Sequence, residues 1–278
     1  MRVKRGFVDI EEGQVHFRHA GAAAGTTLVM LHASPGSSKL IEGLVGALGR
    51  TRRVIAPDTL GNGDSCAPTQ AVPEIADYAA ATVRVLDALK LQKVDLYGTH
   101  TGARIATCLA LSHPDRVGKL ILDGFGLYTP ADLDEILKVY APEVQPDQNG
   151  THIMWCWHFI RDQYLFFPWF KKTAANRYAA RDLPDANFLH EKFIEVMKGI
   201  TTYHKSYRAA FRYAMRDTVP QLKVPTLLAF QKSDMVHPAF EEARKLLPGA
   251  ALAEPPGVET EAGLAETAEI YCRFLDQR

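Results

Sequence analysis

Short apolar runs alternate with amphipathic segments along most of this chain. Each apolar run is bounded by turn residues, which is typical of strands buried on both faces of a sheet. Eight such runs predict strands at 7–10, 14–20, 28–32, 54–58, 94–98, 120–123, 226–231 and 250–254. The first two predict a hairpin, and the segments 74–90, 103–112 and 240–247 predict helices between later strands. This order predicts an α/β fold with a mostly parallel sheet wrapped by helices.

Between residues 127 and 218 the strand pattern disappears and aromatic residues concentrate. The concentrated aromatics are Trp155, Trp157, Phe159, Tyr164, Phe166, Phe167, Trp169 and Phe170. We expect a helical cap here, inserted between the sixth and seventh strands. The chain then divides into a first core segment (1–126), a cap (127–218) and a second core segment (219–278).

The composition restricts the possible binding partners but says little about the reaction. Lysine plus arginine and aspartate plus glutamate number 32 each among 278 residues, so no net charge favours nucleic acid or an anionic membrane. The first residues lack the apolar stretch of a signal peptide, and no apolar run reaches the roughly 18 residues of a membrane span. The cysteines lack CxxC spacing, which argues against a metal site. We expect a cytoplasmic protein with a small-molecule substrate and no metal or cofactor; a homodimer is left open.

The most informative motif is residues 98–102, Gly-Thr-His-Thr-Gly. It follows a predicted buried strand and precedes a predicted helix that begins with small residues. A strand, a Gly-x-nucleophile-x-Gly turn and a helix form the nucleophile elbow of α/β-hydrolases. Here the central residue is His100 and not serine.

Further segments in the same order resemble the α/β-hydrolase family over nearly the whole chain. Residues 32–37 are similar to its oxyanion loop, and 56–65, 113–117, 224–228 and 234–238 resemble other family segments. The resemblance implies the α/β-hydrolase fold, Asp234 as the catalytic acid, and an oxyanion hole formed by the backbone N–H groups of Ser34 and Thr101. Such a hole needs only main-chain donors, so it tolerates changed side chains.

The sequence departs from the family pattern at two of the three triad positions. His100 replaces the nucleophile, and the histidine expected after the last strand is absent, with Glu259 or Thr260 near its place. The two losses fit together if His100 carries its own imidazole to Asp234 and acts as a general base. The alternative is an inactive site in which His100 only fills a polar hole.

Several cap and loop residues are candidates for the substrate pocket. Together with Asp162, His152, Trp155 and Phe159 share one helical face, which predicts either a lid surface or cap core. The further candidates are His32, His204 and His237, and Asp123 is either an alternative acid or a turn-capping residue. The elbow and the segment 150–169 also resemble an atypical group of bacterial hydrolase-like sequences with Gly-x-His-Thr-Gly.

Three functions follow from this pattern. The first is hydrolysis of a small, partly aromatic ester, lactone or carbon–carbon bond, with His100 activating water. The second is a lyase or cofactor-free oxygenase in which His100 deprotonates the substrate. The third is a small-molecule binding protein without catalysis.

Overall fold

The computed structural model describes residues 1–22, 25–178 and 182–277. In these ranges the strands form one sheet with the order β1-β2-β4-β3-β5-β6-β7-β8. The strands are β1 Lys4–Ile10, β2 Gly13–Ala20, β3 Thr27–Leu31, β4 Val54–Pro57, β5 Val94–Thr99, β6 Val117–Asp123, β7 Thr226–Ala229 and β8 Ala251–Ala253. Only the pairs β1–β2 and β2–β4 are antiparallel, so β3 to β8 form the parallel part of the described sheet.

Helices cover both faces of this sheet. They are α1 Glu42–Leu48, α2 Ile75–Ala88, α3 Thr101–Ser112, α4 Pro130–Val139, α5 Thr151–Leu165, α6 Ala186–Lys198, α7 Tyr203–Arg212, α8 Met215–Thr218, α9 Phe240–Leu246 and α10 Glu261–Asp276. Side chains of α1 and α10 pack on one face, and those of α2, α3 and α9 pack on the other. Every residue of β3 is buried, as expected for a central strand covered on both sides.

The helices α4 to α8 lie between β6 and β7 and form the cap. The cap has its own aromatic core, in which Trp155 stacks on Phe159 with ring centroids 4.8 Å apart. Trp169 and Tyr203 also contact Phe159, at 5.0 and 5.6 Å between centroids. Helix α7 connects this core to the sheet, because Ala209 and Ala210 are buried with the residues of α3.

The architecture confirms the predicted fold class, including a helical insertion between the sixth and seventh strands. Helix α3 begins at Thr101, two residues before the predicted start, directly after the elbow residue. Of the helices in the described ranges, none combines the length and the apolar character needed to cross a bilayer.

Candidate active site

The elbow holds His100 in a backbone conformation that side-chain-bearing residues rarely adopt. Its φ is 50° and its ψ is −105°, between the end of β5 and the start of α3. A Cβ atom at Gly98 would lie 2.3 Å from the carbonyl oxygen of Gly102, and one at Gly102 would lie 2.0 Å from that of Leu31. Both glycines are therefore required for the close approach of strand and helix. Strain of this kind is concentrated at functional sites.

The side chains of His100 and Asp234 form a direct hydrogen bond. Nε2 of His100 lies 2.9 Å from Oδ2 of Asp234, in the loop that follows β7. The other carboxylate oxygen, Oδ1, accepts a hydrogen bond from the backbone N–H of Val236 at 3.0 Å, which orients the acid. Burial acts to lower the pKa of His100, but the negative charge and hydrogen bond of Asp234 outweigh it, and the pKa is raised.

The second ring nitrogen of His100 is left for another partner. Within the described part of the chain, no residue makes a hydrogen bond to Nδ1, and the side chain is 30% exposed. Because an ionised carboxylate only accepts hydrogen bonds, the neutral ring has its proton on Nε2 and its lone pair on Nδ1. This is the tautomer that a general base needs.

The segment after β8 supplies no replacement for the missing histidine. The hydroxyl of Thr260 caps α10 by accepting a hydrogen bond from the N–H of Gly263 at 3.0 Å. The carboxylate of Glu259 accepts one from the N–H of Val258 at 2.9 Å. Both residues shape the loop that begins α10.

The two residues expected to form the oxyanion hole meet beside His100. The backbone N–H of Ser34 donates a long hydrogen bond of 3.3 Å to Oγ1 of Thr101. Thr101 is the first residue of α3, where N–H groups have no acceptor within the helix. Ser34, His100 and Thr101 all line the same small cavity.

His100 forms part of the wall of two cavities. The smaller, of about 40 Å³, lies under the cap and is also lined by Ser34, Thr101, Arg104, Tyr128, Tyr140, Tyr207, Ala210, Phe211 and Met235. The larger, of about 300 Å³, is also lined by Ala33, Leu40, Ile41, Gly43, Leu44, Tyr97, Thr99, Lys192, Gln231, Asp234 and Val258. Since small-ligand sites begin at about 300 Å³, the larger cavity has room for the body of a small molecule.

The six pocket candidates from the sequence do not line either cavity. Their assignment to a substrate pocket stays a prediction, and their packing explains why they lie outside these two cavities. Trp155 and Phe159 belong to the cap core. His32 is fully buried, with its ring nitrogens bonded to the carbonyl of Ala33 and the N–H of Thr59.

The three remaining histidines of that set have other surroundings. Nδ1 of His152 accepts a hydrogen bond from the N–H of Asp147, in the loop before α5. His237 contacts Glu254 at 2.7 Å near the surface. His204 is buried beside Tyr203, and burial lowers its pKa.

Asp123 does not take the place of the acid. It is 1% exposed, accepts a hydrogen bond from the Tyr97 hydroxyl at 2.7 Å, and lies beside the amide of Gln231. Burial raises the pKa of its carboxyl group. Asp234 is the carboxylate that contacts His100.

One group of potential metal ligands occurs in the described ranges, namely His16, Asp58 and Asp64. Its members already have partners: Nδ1 of His16 lies 2.9 Å from Asp58, and Arg5 and Lys198 each form an ion pair with Asp64. None of the three residues lines the cavities beside His100. These contacts account for the cluster as a structural feature.

Comparison with known proteins agrees with the architecture of the sheet and its helices. Residues 26–252 match the family described as alpha/beta hydrolase fold. The chain belongs to this family. Among solved structures, the enol-lactonase from Burkholderia xenovorans LB400 is similar in fold, with a TM-score of 0.75, 17% identity, and coverage of 98% of this chain and 100% of that one.

Sequence identity to curated proteins is higher but covers only part of the chain. The chain is 41% identical over 106 residues to 2-hydroxymuconate semialdehyde hydrolase from Pseudomonas sp. (strain CF600), covering 37% of this chain and 38% of that protein. It is 38% identical over 137 residues to 2-hydroxy-6-oxononadienedioate/2-hydroxy-6-oxononatrienedioate hydrolase from Paraburkholderia xenovorans (strain LB400), covering 45% and 46%. The matches span less than half the length of these curated relatives.

The residues that surround His100 under the cap are not among the candidates from the sequence. Tyr207 and Phe211 continue a stripe along α7 that starts at Tyr203, with a spacing of four residues. That spacing marks one helical face but does not indicate whether the face packs in the cap core or lines a cavity. Arg104 is the only charged residue in the otherwise apolar and small-residue helix α3, but the sequence does not show that it lacks an ion-pair partner.

Proposed function

We propose that this protein hydrolyses a small, partly aromatic ester, lactone or carbon–carbon bond, with His100 as general base and Asp234 as its orienting acid. The observation that carries the proposal is the 2.9 Å contact between Nε2 of His100 and Asp234 on an intact elbow. It supports a base with a defined tautomer where the family normally has a nucleophile. The cap, which we assign to residues 127–218, covers this base with Tyr140, Tyr207 and Phe211.

The proposed reaction uses water as the nucleophile. Nδ1 of His100 accepts a proton from water as the water oxygen bonds to the carbonyl carbon of the substrate. The N–H groups of Ser34 and Thr101 stabilise the oxyanion that develops. Collapse of this intermediate breaks the bond to the leaving oxygen or carbon, which receives the proton from His100. The long bond from Ser34 to Thr101 supports this role, because a substrate oxygen can replace its acceptor.

The relatives support the substrate class. Their names describe a semialdehyde hydrolase, a hydrolase of unsaturated oxo dicarboxylates and an enol-lactonase. Each name specifies a small, oxygen-rich molecule. We carry this class to the present chain as part of the proposal, together with its membership of an atypical bacterial subfamily.

A second candidate is a lyase or cofactor-free oxygenase. The absence of a hydroxyl or thiol nucleophile at position 100 favours it, because proton removal from a substrate needs only the base. The third candidate, a binding protein, retains the cavities but no turnover.

The experiment compares wild type with His100→Ala on aryl esters, enol-lactones and unsaturated oxo acids, followed by absorbance and dissolved oxygen. We expect oxygen-independent hydrolysis, reduced roughly 10²- to 10⁴-fold in the variant, as for loss of a general base. His113→Ala, at the far end of α3, is the matched control and should keep the activity. Oxygen uptake would favour the second candidate, and binding without turnover the third.

Location and partners remain predictions. We predict that the protein is cytoplasmic and that its partner is a small-molecule substrate. We expect it to bind no nucleic acid, membrane or cofactor. Size-exclusion chromatography with light scattering distinguishes a monomer from the homodimer left open by the sequence.

A further inference from the structure

A positively charged group lies under the cap without a counter-ion. Arg104, near the start of α3, is 4% exposed. In the described ranges it forms no ion pair, and its guanidinium carbon lies 6.0 Å from the centroid of the Tyr128 ring. An unpaired buried charge is costly, so buried arginines normally contact a carboxylate or phosphate.

The guanidinium is fixed in place but not saturated. Nη1 donates to the carbonyl of His100 at 3.1 Å, and Nη2 donates to the carbonyl of Gly126 at 2.9 Å. Nε is buried and has no partner in the described part of the chain. Since a guanidinium has five N–H donors, two bonds to carbonyls leave donors for a ligand. Because the group is buried, the charged form is disfavoured and the pKa of Arg104 is lowered.

Arg104 lines the small cavity that contains His100. The same cavity is bordered by Tyr128, Tyr140 and Tyr207, whose hydroxyl groups are further potential donors. Its volume of about 40 Å³ is small, slightly more than the roughly 30 Å³ share of one water, and suits a single planar polar group.

Arg104 also borders a neighbouring cavity of about 200 Å³ on its other side. Charged side chains of both signs, Arg212, Arg216 and Asp217, also line that cavity, and the two arginines form ion pairs with Glu74 and Glu242. The cavity gives a ligand space next to Arg104. The region combines a desolvated cation, hydroxyl donors and adjoining space, which together are the features of an anion site.

We propose that Arg104 binds a carboxylate of the ligand, with the carboxylate under the cap among the tyrosines and the rest of the molecule extending past His100. This inference rests on the proposed function only for the position of the reacting carbon. It assigns a carboxylic acid as the substrate class and Arg104 as the residue that selects it. A bidentate contact of a carboxylate with Nε and an Nη fits the geometry that guanidinium groups favour.

The test measures binding of benzoate and of benzamide, its neutral analogue of the same shape, by calorimetry at pH 8. We expect wild type to bind benzoate at least tenfold more tightly than benzamide. Arg104→Met should weaken benzoate binding roughly 10- to 100-fold, the range for hydrogen bonds to a charged group, and leave benzamide binding unchanged. Arg116→Met is the matched control, because Arg116 also bonds two backbone carbonyls but lies away from the cavities.

Two further variants keep the test decisive if Arg104→Met does not fold. Tyr207→Phe should weaken benzoate binding severalfold by removing one hydroxyl, and Arg104→Lys should weaken it by losing the planar fork. Unchanged benzoate affinity in these variants, equal affinity for benzamide, or no benzoate binding to wild type would each overturn the proposal. His100→Ala should still bind benzoate, so failure of the anion site and failure of the general base give different results.

Discussion

Nε2 of His100 lies 2.9 Å from Oδ2 of Asp234, although 134 residues separate them in the chain. In an ordinary triad the imidazole between elbow and acid comes from a loop after the last strand. Here the elbow residue itself supplies that ring, and Glu259 and Thr260 of the loop serve local hydrogen bonds. The replacement at the elbow and the missing terminal histidine are thus two parts of one arrangement.

Asp234→Asn should impair any activity that depends on His100. The asparagine side chain can donate a hydrogen bond to Nε2, which favours the opposite tautomer of His100. It carries no negative charge to stabilise the protonated ring. We expect a loss of roughly 10²- to 10⁴-fold in kcat, measured on the best substrate from the panel. Asp134→Asn, an exposed position on α4 paired with Lys138, is the control. Full activity in Asp234→Asn would argue against the acid.

The rate should depend on pH through the raised pKa of His100. Because the base works only when deprotonated, activity should rise with pH and reach half its maximum above pH 6.5, the ordinary value for histidine. Removing the negative charge in Asp234→Asn should shift this rise in activity to lower pH and reduce the maximum rate. A pH profile of kcat/KM for both proteins tests the shift, and a rise at the same pH in both would contradict it.

The same pKa shift affects stability with a defined sign. A group whose pKa is raised in the folded state stabilises the fold below its unfolded value and loses that contribution as pH rises through the folded value. The His100–Asp234 contact should therefore stabilise wild type relative to His100→Gln at pH 6 and less at pH 9. Urea unfolding at the two pH values measures the difference; a larger difference at pH 9 would reverse the expected order.

Reagents directed at activated serine should not label the elbow. Position 100 has no hydroxyl, and neither neighbouring threonine is activated by a histidine in the described structure. Intact-mass measurement after incubation with a fluorophosphonate should show no adduct there. His100→Ser should remain unlabelled and inactive, since no histidine follows β8. An adduct at Thr99 or Thr101 would identify a different nucleophile.

The fold was predictable because buried parallel strands leave continuous apolar runs in the sequence. The run at 28–32 corresponds to β3 Thr27–Leu31, all of whose residues are buried. The contact of His100 with Asp234 was predictable from the paired replacements, since both positions lie at the carboxyl ends of strands.

The lining of the cavity was not predictable from the same signals. Aromatic residues on α5 and α7 share the same character, yet Phe159 fills the cap core and Tyr207 faces the small cavity. Which helical face turns toward the sheet depends on how α5 and α7 pack against each other, and periodicity alone does not encode that. Arg104 was not a candidate from the sequence because the argument for it is its lack of an ion-pair partner. Only three-dimensional contacts show that lack.

The cap core offers a test that separates packing from chemistry. Phe159 is 1% exposed and contacts Trp155, Trp169 and Tyr203, so Phe159→Ala should leave a large cavity. We expect a loss of about 3–5 kcal/mol in the free energy of unfolding, measured with urea. Ile153→Ala, on the same helix but 44% exposed, should change it by less than about 0.5 kcal/mol. If Phe159 instead faced the substrate, Phe159→Ala would alter KM while the unfolding transition stayed at the wild-type urea concentration.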